Sequence, residues 1–182
     1  MYPEVVDIPS ARLERWDAEV HLPALAAVAR EDDAVRFLGT PRDPAGQRAT
    51  SERYASHWER FGFGRWAIVP DGEAAAGWAG AFHPLWYPTR QDCVELGWGL
   101  AAPARGRGLA TLAASAAVDA CFGADLAVEL FAFVHPPNLA SRAVAERLGM
   151  RAAGEITDPN SGAPMDVFAL RRARAGTTPG RR

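Results

Sequence analysis

The sequence predicts a single α/β domain, on three observations. Its 182 residues suit one domain with a sizeable core. Apolar runs of strand length alternate with longer stretches of helical spacing. The run Arg105-Gly106-Arg107-Gly108-Leu109-Ala110-Thr111 joins an apolar segment, Val94 to Leu100, to an alanine-rich one, Leu112 to Phe122. That is the order strand, glycine-rich loop, helix.

The elements follow in turn. Leu13 to Trp16 is a short strand. Asp17 or Glu19 leads into a helix through Leu22, Leu25, Val28 and Ala29, with Pro23 accepted only in its first turn. Asp32 to Leu38 is a further turn or two of helix, ending at Gly39. Pro41, Pro44 and Gly46 mark a loop. A helix follows from about Ala49 to Phe61 and stops at Gly62 and Gly64. Arg65 to Val69 is a strand, Asp71-Gly72 a hairpin turn, and Ala75 to Phe82 the partner strand. His83 to Asp92, with Pro84 and Pro88, is a loop or a strand end. In Cys93 to Leu100, Val94, Leu96, Trp98 and Leu100 share one face, and Cys93, Glu95, Gly97 and Gly99 share the other. Small residues on that second face predict something close against it. Glu129 to Val134 is a buried strand and Asn138 to Leu148 a helix. Strands near Arg151 to Ile156 and Asp166 to Leu170 finish the sheet.

The glycine-rich loop has the chemistry of an anion cradle. The first N–H groups of a helix have no intrahelical partner, and the helix dipole adds partial positive charge there. Glycines let backbone approach a phosphate closely. Arg105 and Arg107 add permanent charge and forked donors. The other reading is a tight strand-to-helix turn that uses glycine for geometry alone. A P-loop is excluded, because it needs a lysine and the chain has none. A dinucleotide fingerprint fits poorly, because Thr111 stands where GxGxxG needs its third glycine.

What remains is Arg-x-x-Gly-x-Ala, with Arg105, Gly108 and Ala110 at the set positions. Here the sequence resembles the GNAT superfamily of N-acetyltransferases, whose acetyl-CoA loop reads Gln/Arg-x-x-Gly-x-Gly/Ala. A second block strengthens the resemblance. Asn138-Leu139-Ala140-Ser141 follows His135-Pro136-Pro137, and Leu148-Gly149-Met150 comes after, similar to the closing motif of that superfamily. The likeness is nearest to the branch of ribosomal-protein N-terminal acetyltransferases and extends from about Ala11 to Arg171. It includes Arg65 to Val69, Gly77-Trp78-Ala79-Gly80 and Glu95-Leu96-Gly97-Trp98. Between Pro103 and the Gly-Arg-Gly core the segment is a residue shorter than that branch shows.

The resemblance implies a mixed, mostly antiparallel sheet that splays at the strand before the loop, with helices on both faces. It implies an acetyltransferase domain over residues 11–172; residues 173–182 have no apolar pattern and read as a disordered tail. The expected reaction moves an acetyl group from acetyl-CoA to a primary amine by direct attack in a ternary complex. The acceptor is a protein N-terminus, a peptide or a small molecule. The alternative is a non-catalytic CoA-binding module that regulates a partner.

Backbone N–H groups from Gly106 through Arg107, Gly108, Leu109 and Ala110 to Thr111 would take the pyrophosphate. The strand end at Trp98 and Leu100 would meet the pantetheine arm and the thioester carbonyl. Asn138 would hydrogen-bond the pantetheine or simply cap its helix. Many superfamily members carry a tyrosine on the last helix for the leaving thiolate. The tyrosines here are Tyr2, Tyr54 and Tyr87, so the resemblance offers Ser141 instead. Its hydroxyl could equally bond its own helix backbone. Glu95 is the first candidate for the general base, with Cys93, Gly97 and Gly99 leaving room for a substrate and a water beside it, against a reading as a polar residue on a half-exposed strand; His83 and His135 come after it. Trp66, Trp78 and Trp98 read as core. Trp86 and Tyr87 read as an acceptor wall or as loop packing, and His57-Trp58-Glu59-Arg60 as a flank of the acceptor.

Composition narrows the partners. A net charge of −2 gives no basic excess for a polyanion, so nucleic acid is not expected. Cys93 and Cys121 lack the spacing of a zinc site, and no metal is expected. No apolar run is long enough for a bilayer, and there is no signal peptide. A cytoplasmic protein with reduced thiols is expected, and a homodimer stays open.

Overall fold

The computed structural model describes residues 1–87 and 92–173. Pro88, named above in the loop, and nearly all of the expected tail lie outside them. The order is β1 (Val5–Ile8), β2 (Ala11–Arg15), α1 (Leu22–Val28), α2 (Asp32–Leu38), α3 (Pro44–Phe61), β3 (Arg65–Pro70) and β4 (Gly77–Phe82). There follow β5 (Val94–Leu100), α4 (Leu109–Gly123), β6 (Glu129–Val134), α5 (Leu139–Arg147), β7 (Arg151–Thr157) and β8 (Pro164–Arg171). No helix among the described residues is long and apolar enough to cross a membrane.

Among the described residues eight strands pair in one sheet, ordered β1-β2-β3-β4-β5-β6-β8-β7. Every neighbouring pair is antiparallel except β5 and β6. That parallel pair is joined only at Val94↔Leu130 and Glu95↔Phe131. Beyond Glu95 the two strands diverge, while β5 stays paired to β4 as far as Gly77↔Leu100. The edge of β5 that faces β6 is therefore open from Gly97 onward. This is the expected splay, and it ends at the glycine-rich loop.

The core explains how helices close on the sheet. On one face α4 packs against β4 and β5. It buries Ala113, Ala114, Ala117 and Cys121, and β4 offers Ala79 and Ala81. Small side chains let helix and sheet approach closely, so the alanine-rich composition is used here for packing. On the other face α1 packs on α3 and β4. Tyr54 of α3 meets Trp16 and Trp78 edge-on, at 5.4 and 5.6 Å between ring centroids.

Three departures from expectation bear on the site and its surroundings. β1 has no counterpart among the expected elements, because Val5–Ile8 has only four residues and none of them is fully buried. α3 begins at Pro44 rather than near Ala49. Asp43 caps it by accepting from Gly46 N–H at 2.7 Å, and proline is well suited to the first helical position. α4 begins at Leu109, directly on Gly108.

Candidate active site

Two cavities meet at the splay. The first, of about 740 Å³, follows the glycine-rich loop. Trp98 and Leu100 of β5, Arg105, Gly106 and Gly108 of the loop, and Leu109, Ala110 and Thr111 of α4 all line it. Asn138 and Ser141 of α5 close it from across the splay. Gly106 and Gly108 have φ of 74° and 78°, backbone that favours glycine. Nothing lies within 4 Å of where a Cβ would stand at either. An open, left-handed glycine turn at the start of a fifteen-residue helix fits a bound pyrophosphate.

The two loop arginines do not fit the expectation of free forked donors. Arg105 donates from Nε to the Leu100 carbonyl at 2.9 Å and from both terminal nitrogens to the Asp33 carboxylate, at 2.9 and 3.1 Å. Arg107 pairs with Glu73 at 2.8 Å and stands outside the cavity wall. Both guanidinium groups are held by carboxylates, so the loop offers its backbone and Arg105 buttresses it against α2.

The second cavity, of about 630 Å³, lies beside Glu95. Leu38, Trp98, Asn138 and Ser141 line both cavities, so the two share one wall. Glu95 is buried, not half-exposed. Its Oε2 accepts from Trp86 Nε1 at 2.8 Å. Burial lifts its pKa to about 7, against the opposing pull of the Trp86 hydrogen bond and of Arg65. The small face of β5 needs one correction. A Cβ on Gly97 would come within 3.0 Å of the Phe82 ring. One on Gly99 would come within 3.0 Å of Leu38 and of the Trp78 ring. These glycines make room for protein side chains rather than for substrate and water. The cavity opens beside those rings.

The histidines separate by their hydrogen bonds. His57 accepts from the His83 backbone N–H at Nε2 (3.0 Å), so its Nδ1–H donates to the Phe63 carbonyl (2.8 Å). Burial pushes its pKa down to about 4. A neutral ring with both nitrogens engaged is structural. His83 donates from Nδ1 to the Cys93 carbonyl at 2.9 Å, which leaves the lone pair of the neutral ring on Nε2. It lines the second cavity, as does His135. Of the stretch His57-Trp58-Glu59-Arg60, only His57 reaches that wall.

Asn138 caps α5 by accepting from Ser141 N–H at 3.1 Å, and it still faces both cavities. Ser141 Oγ makes no hydrogen bond among the described residues, so the reading as a backbone-bonded helix serine has no bond behind it. Trp66 is core, fully buried. Trp78 and Trp98 are buried too, yet both line cavities. Trp86 forms cavity wall, stacked on Tyr87 and edge-on to Phe133.

Two residues were missed from sequence. Asp33 gave no local signal, because its partner Arg105 lies 72 positions away. Arg65 did give one: it is a charged residue in a strand otherwise composed of Trp66, Ala67, Ile68, Val69 and Pro70.

Comparison with known proteins agrees with this architecture. The chain resembles an acetyltransferase from Agrobacterium tumefaciens at 24% identity and TM-score 0.78, over 94% of this chain and 96% of that one. It resembles RimL, a ribosomal alpha-N-protein acetyltransferase, at 18% identity and TM-score 0.76, over 93% and 94%. An aminoglycoside acetyltransferase in complex with coenzyme A matches at 21% identity and TM-score 0.70, over 88% and 94%. The sequence profile of the acetyltransferase (GNAT) domain matches residues 11–151. The chain therefore belongs to the GNAT family and is an acetyl-CoA-dependent acetyltransferase.

Proposed function

We propose that this acetyltransferase acts on a primary amine, of a small molecule or of a protein N-terminus, by direct attack in a ternary complex. One observation carries the reading. The cavity along the glycine loop and the cavity beside Glu95 share the wall of Trp98, Asn138 and Ser141. A donor held in one and an amine held in the other would meet at that wall.

The residues divide the work. Backbone N–H groups from Gly106 to Thr111 bind the pyrophosphate of acetyl-CoA. The open edge of β5 from Gly97 to Leu100 offers backbone N–H groups to the pantetheine arm and to the oxyanion. One such donor contributes a few kcal/mol to lowering the barrier. The amine nitrogen forms its bond to the thioester carbon as the carbon–sulfur bond breaks. Glu95 takes the ammonium proton, directly or through a water. A carboxyl with a pKa of about 7 is a matched base for an α-amine with a pKa of roughly 7.7 to 8. Ser141 Oγ hydrogen-bonds the departing thiolate. Residues 11–172 form the catalytic domain.

The test is thiol release from acetyl-CoA over a panel of primary amines, with CoA binding followed by calorimetry. Glu95→Gln should lower turnover at saturating amine by about a hundredfold or more while CoA binding persists. Full turnover in that variant removes Glu95 as base. Thiol release with none of the amines removes the acceptor class.

A further inference from the structure

We propose that Arg65 is a specificity residue for the acceptor: the amine that this enzyme acetylates is a small molecule that also carries a carboxylate, which Arg65 binds. This rests on the amine-acceptor reading above and narrows it.

The argument starts from register. Arg65 of β3 pairs with Gly80 of β4, and Gly80 pairs with Gly97 of β5. On β4, Trp78 and Phe82 flank Gly80 on the same face. The β3 backbone at Gly64 and Arg65 lies close over Gly80, where a Cβ would meet the Gly64 carbonyl at 2.5 Å, and the arginine side chain emerges between the two rings. Its guanidinium carbon lies 3.3 Å from the Phe82 ring centroid, 4.0 Å from that of Tyr54 and 5.0 Å from that of Trp78. Rings hold the cation in place but leave its N–H donors unused.

Those donors have no partner among the described residues. Among the described residues eight other arginines make ion pairs, and Arg65 does not. Its Nε is buried without a hydrogen bond, and so is Nε1 of the neighbouring Trp78. Glu95 attracts this cation through space, but no described residue accepts a hydrogen bond from it, and a buried donor left without an acceptor is costly unless something supplies one. Arg65 lines the cavity beside Glu95, so a ligand there can supply it.

The charge of the whole cavity agrees. Arg36, Arg53 and Arg65 line it, against the carboxyls of Glu95 and Asp158. Arg36 and Arg53 have no carboxylate partner among the described residues. His57, also in the wall, is neutral by its hydrogen bonds. Such a lining repels a polycationic amine and favours an acceptor whose own charge is balanced. Arg65 and Glu95 stand two strands apart on one face, so they suit the two ends of a short amino acid-like zwitterion. A planar guanidinium offers a carboxylate two parallel hydrogen bonds, which selects it over an amide of the same shape.

The experiment uses matched acceptors: primary amines bearing a carboxylate, and the same molecules with that group as the primary carboxamide. The wild type should prefer the carboxylate in kcat/KM by about tenfold to a hundredfold. At a pH well above the Glu95 pKa, where losing the Arg65 charge does not change the ionisation of the base, Arg65→Met should abolish this preference by raising KM for the carboxylate, with little change in KM for the carboxamide. Arg65→Lys should restore part of it. A wild type that acetylates carboxamides as well as carboxylates overturns this inference and leaves the amine-acceptor reading standing. Equal loss on both acceptors in Arg65→Met, with kcat rather than KM affected, makes Arg65 a partner of Glu95 and also overturns it. Acetylation of no amine overturns both readings together. The wild-type comparison needs no variant, so misfolding of Arg65→Met does not blunt the test.

Discussion

Trp86 Nε1 donates a hydrogen bond to Glu95 Oε2 at 2.8 Å, joining a loop aromatic to a buried carboxylate of the sheet. The donor stabilises the ionised carboxylate and so holds down a pKa that burial has raised. Trp86→Phe keeps a ring against Phe133 and removes the donor. The Glu95 pKa should then climb further above 7, by about one unit. If Glu95 is the base, the alkaline rise of the pH–rate profile moves to higher pH by the same amount. An unmoved limb, with catalysis otherwise intact, would separate Glu95 from the rate-limiting proton transfer.

Glu95 also makes stability depend on pH. Its folded pKa of about 7 lies above its ordinary 4.5, so folding takes up a proton between these values. The stabilising contribution is full below pH 4.5 and is lost as pH rises through 7. Glu95→Gln removes this dependence. It should melt higher than the wild type at pH 8 to 9, by at most roughly 3 kcal/mol in stability. The gap should close toward pH 4.5. Thermal melts across that range decide it, and a gap that widens in acid would contradict the assignment.

Ser141 presents an Oγ without a hydrogen bond to the wall that both cavities share. Ser141→Ala should lower kcat by about tenfold or more while the KM for acetyl-CoA changes little, because the lost bond matters most as the thiolate leaves. The Asn138 cap uses the Ser141 backbone N–H and survives the change. A variant with full kcat would leave Ser141 as a helix residue only.

Gly108 allows charge and geometry to be separated. Open space surrounds its missing Cβ, so Gly108→Ala meets only the strain of φ 78°, a cost of about 1 kcal/mol. Gly108→Asp adds a negative charge facing the proposed phosphate position. Calorimetry should find CoA binding weakened at least tenfold more by aspartate than by alanine. Equal effects would mean that the loop is a turn and not an anion cradle.

The glycine loop, the Asn138 cap and most strands were legible in the sequence, because each is a local matter. Left-handed backbone calls for glycine, a helix start calls for a capping side chain, and alternation follows from the strand repeat. Local rules misled where a residue has two meanings. Pro44 and Gly46 read as loop, yet they open α3, since Asp43 supplies the cap. Gly97 and Gly99 read as room for substrate, yet Phe82, Trp78 and Leu38 lie over them.

Residue order alone was enough for the fold class, the glycine-rich strand-to-helix loop and the segments that meet at the splay. Contacts across the fold set which side chains face one another. Asp33 and Arg105 find each other across 72 residues, and this turns an expected phosphate donor into a brace. Trp86 reaches Glu95 by the path of a loop. Arg65 meets three rings drawn from α3 and β4. The physical reason is common to all three. Burial, partner choice and the resulting pKa depend on side chains brought together by sheet register and helix docking, and neither distance nor dielectric is written in the order of residues along the chain.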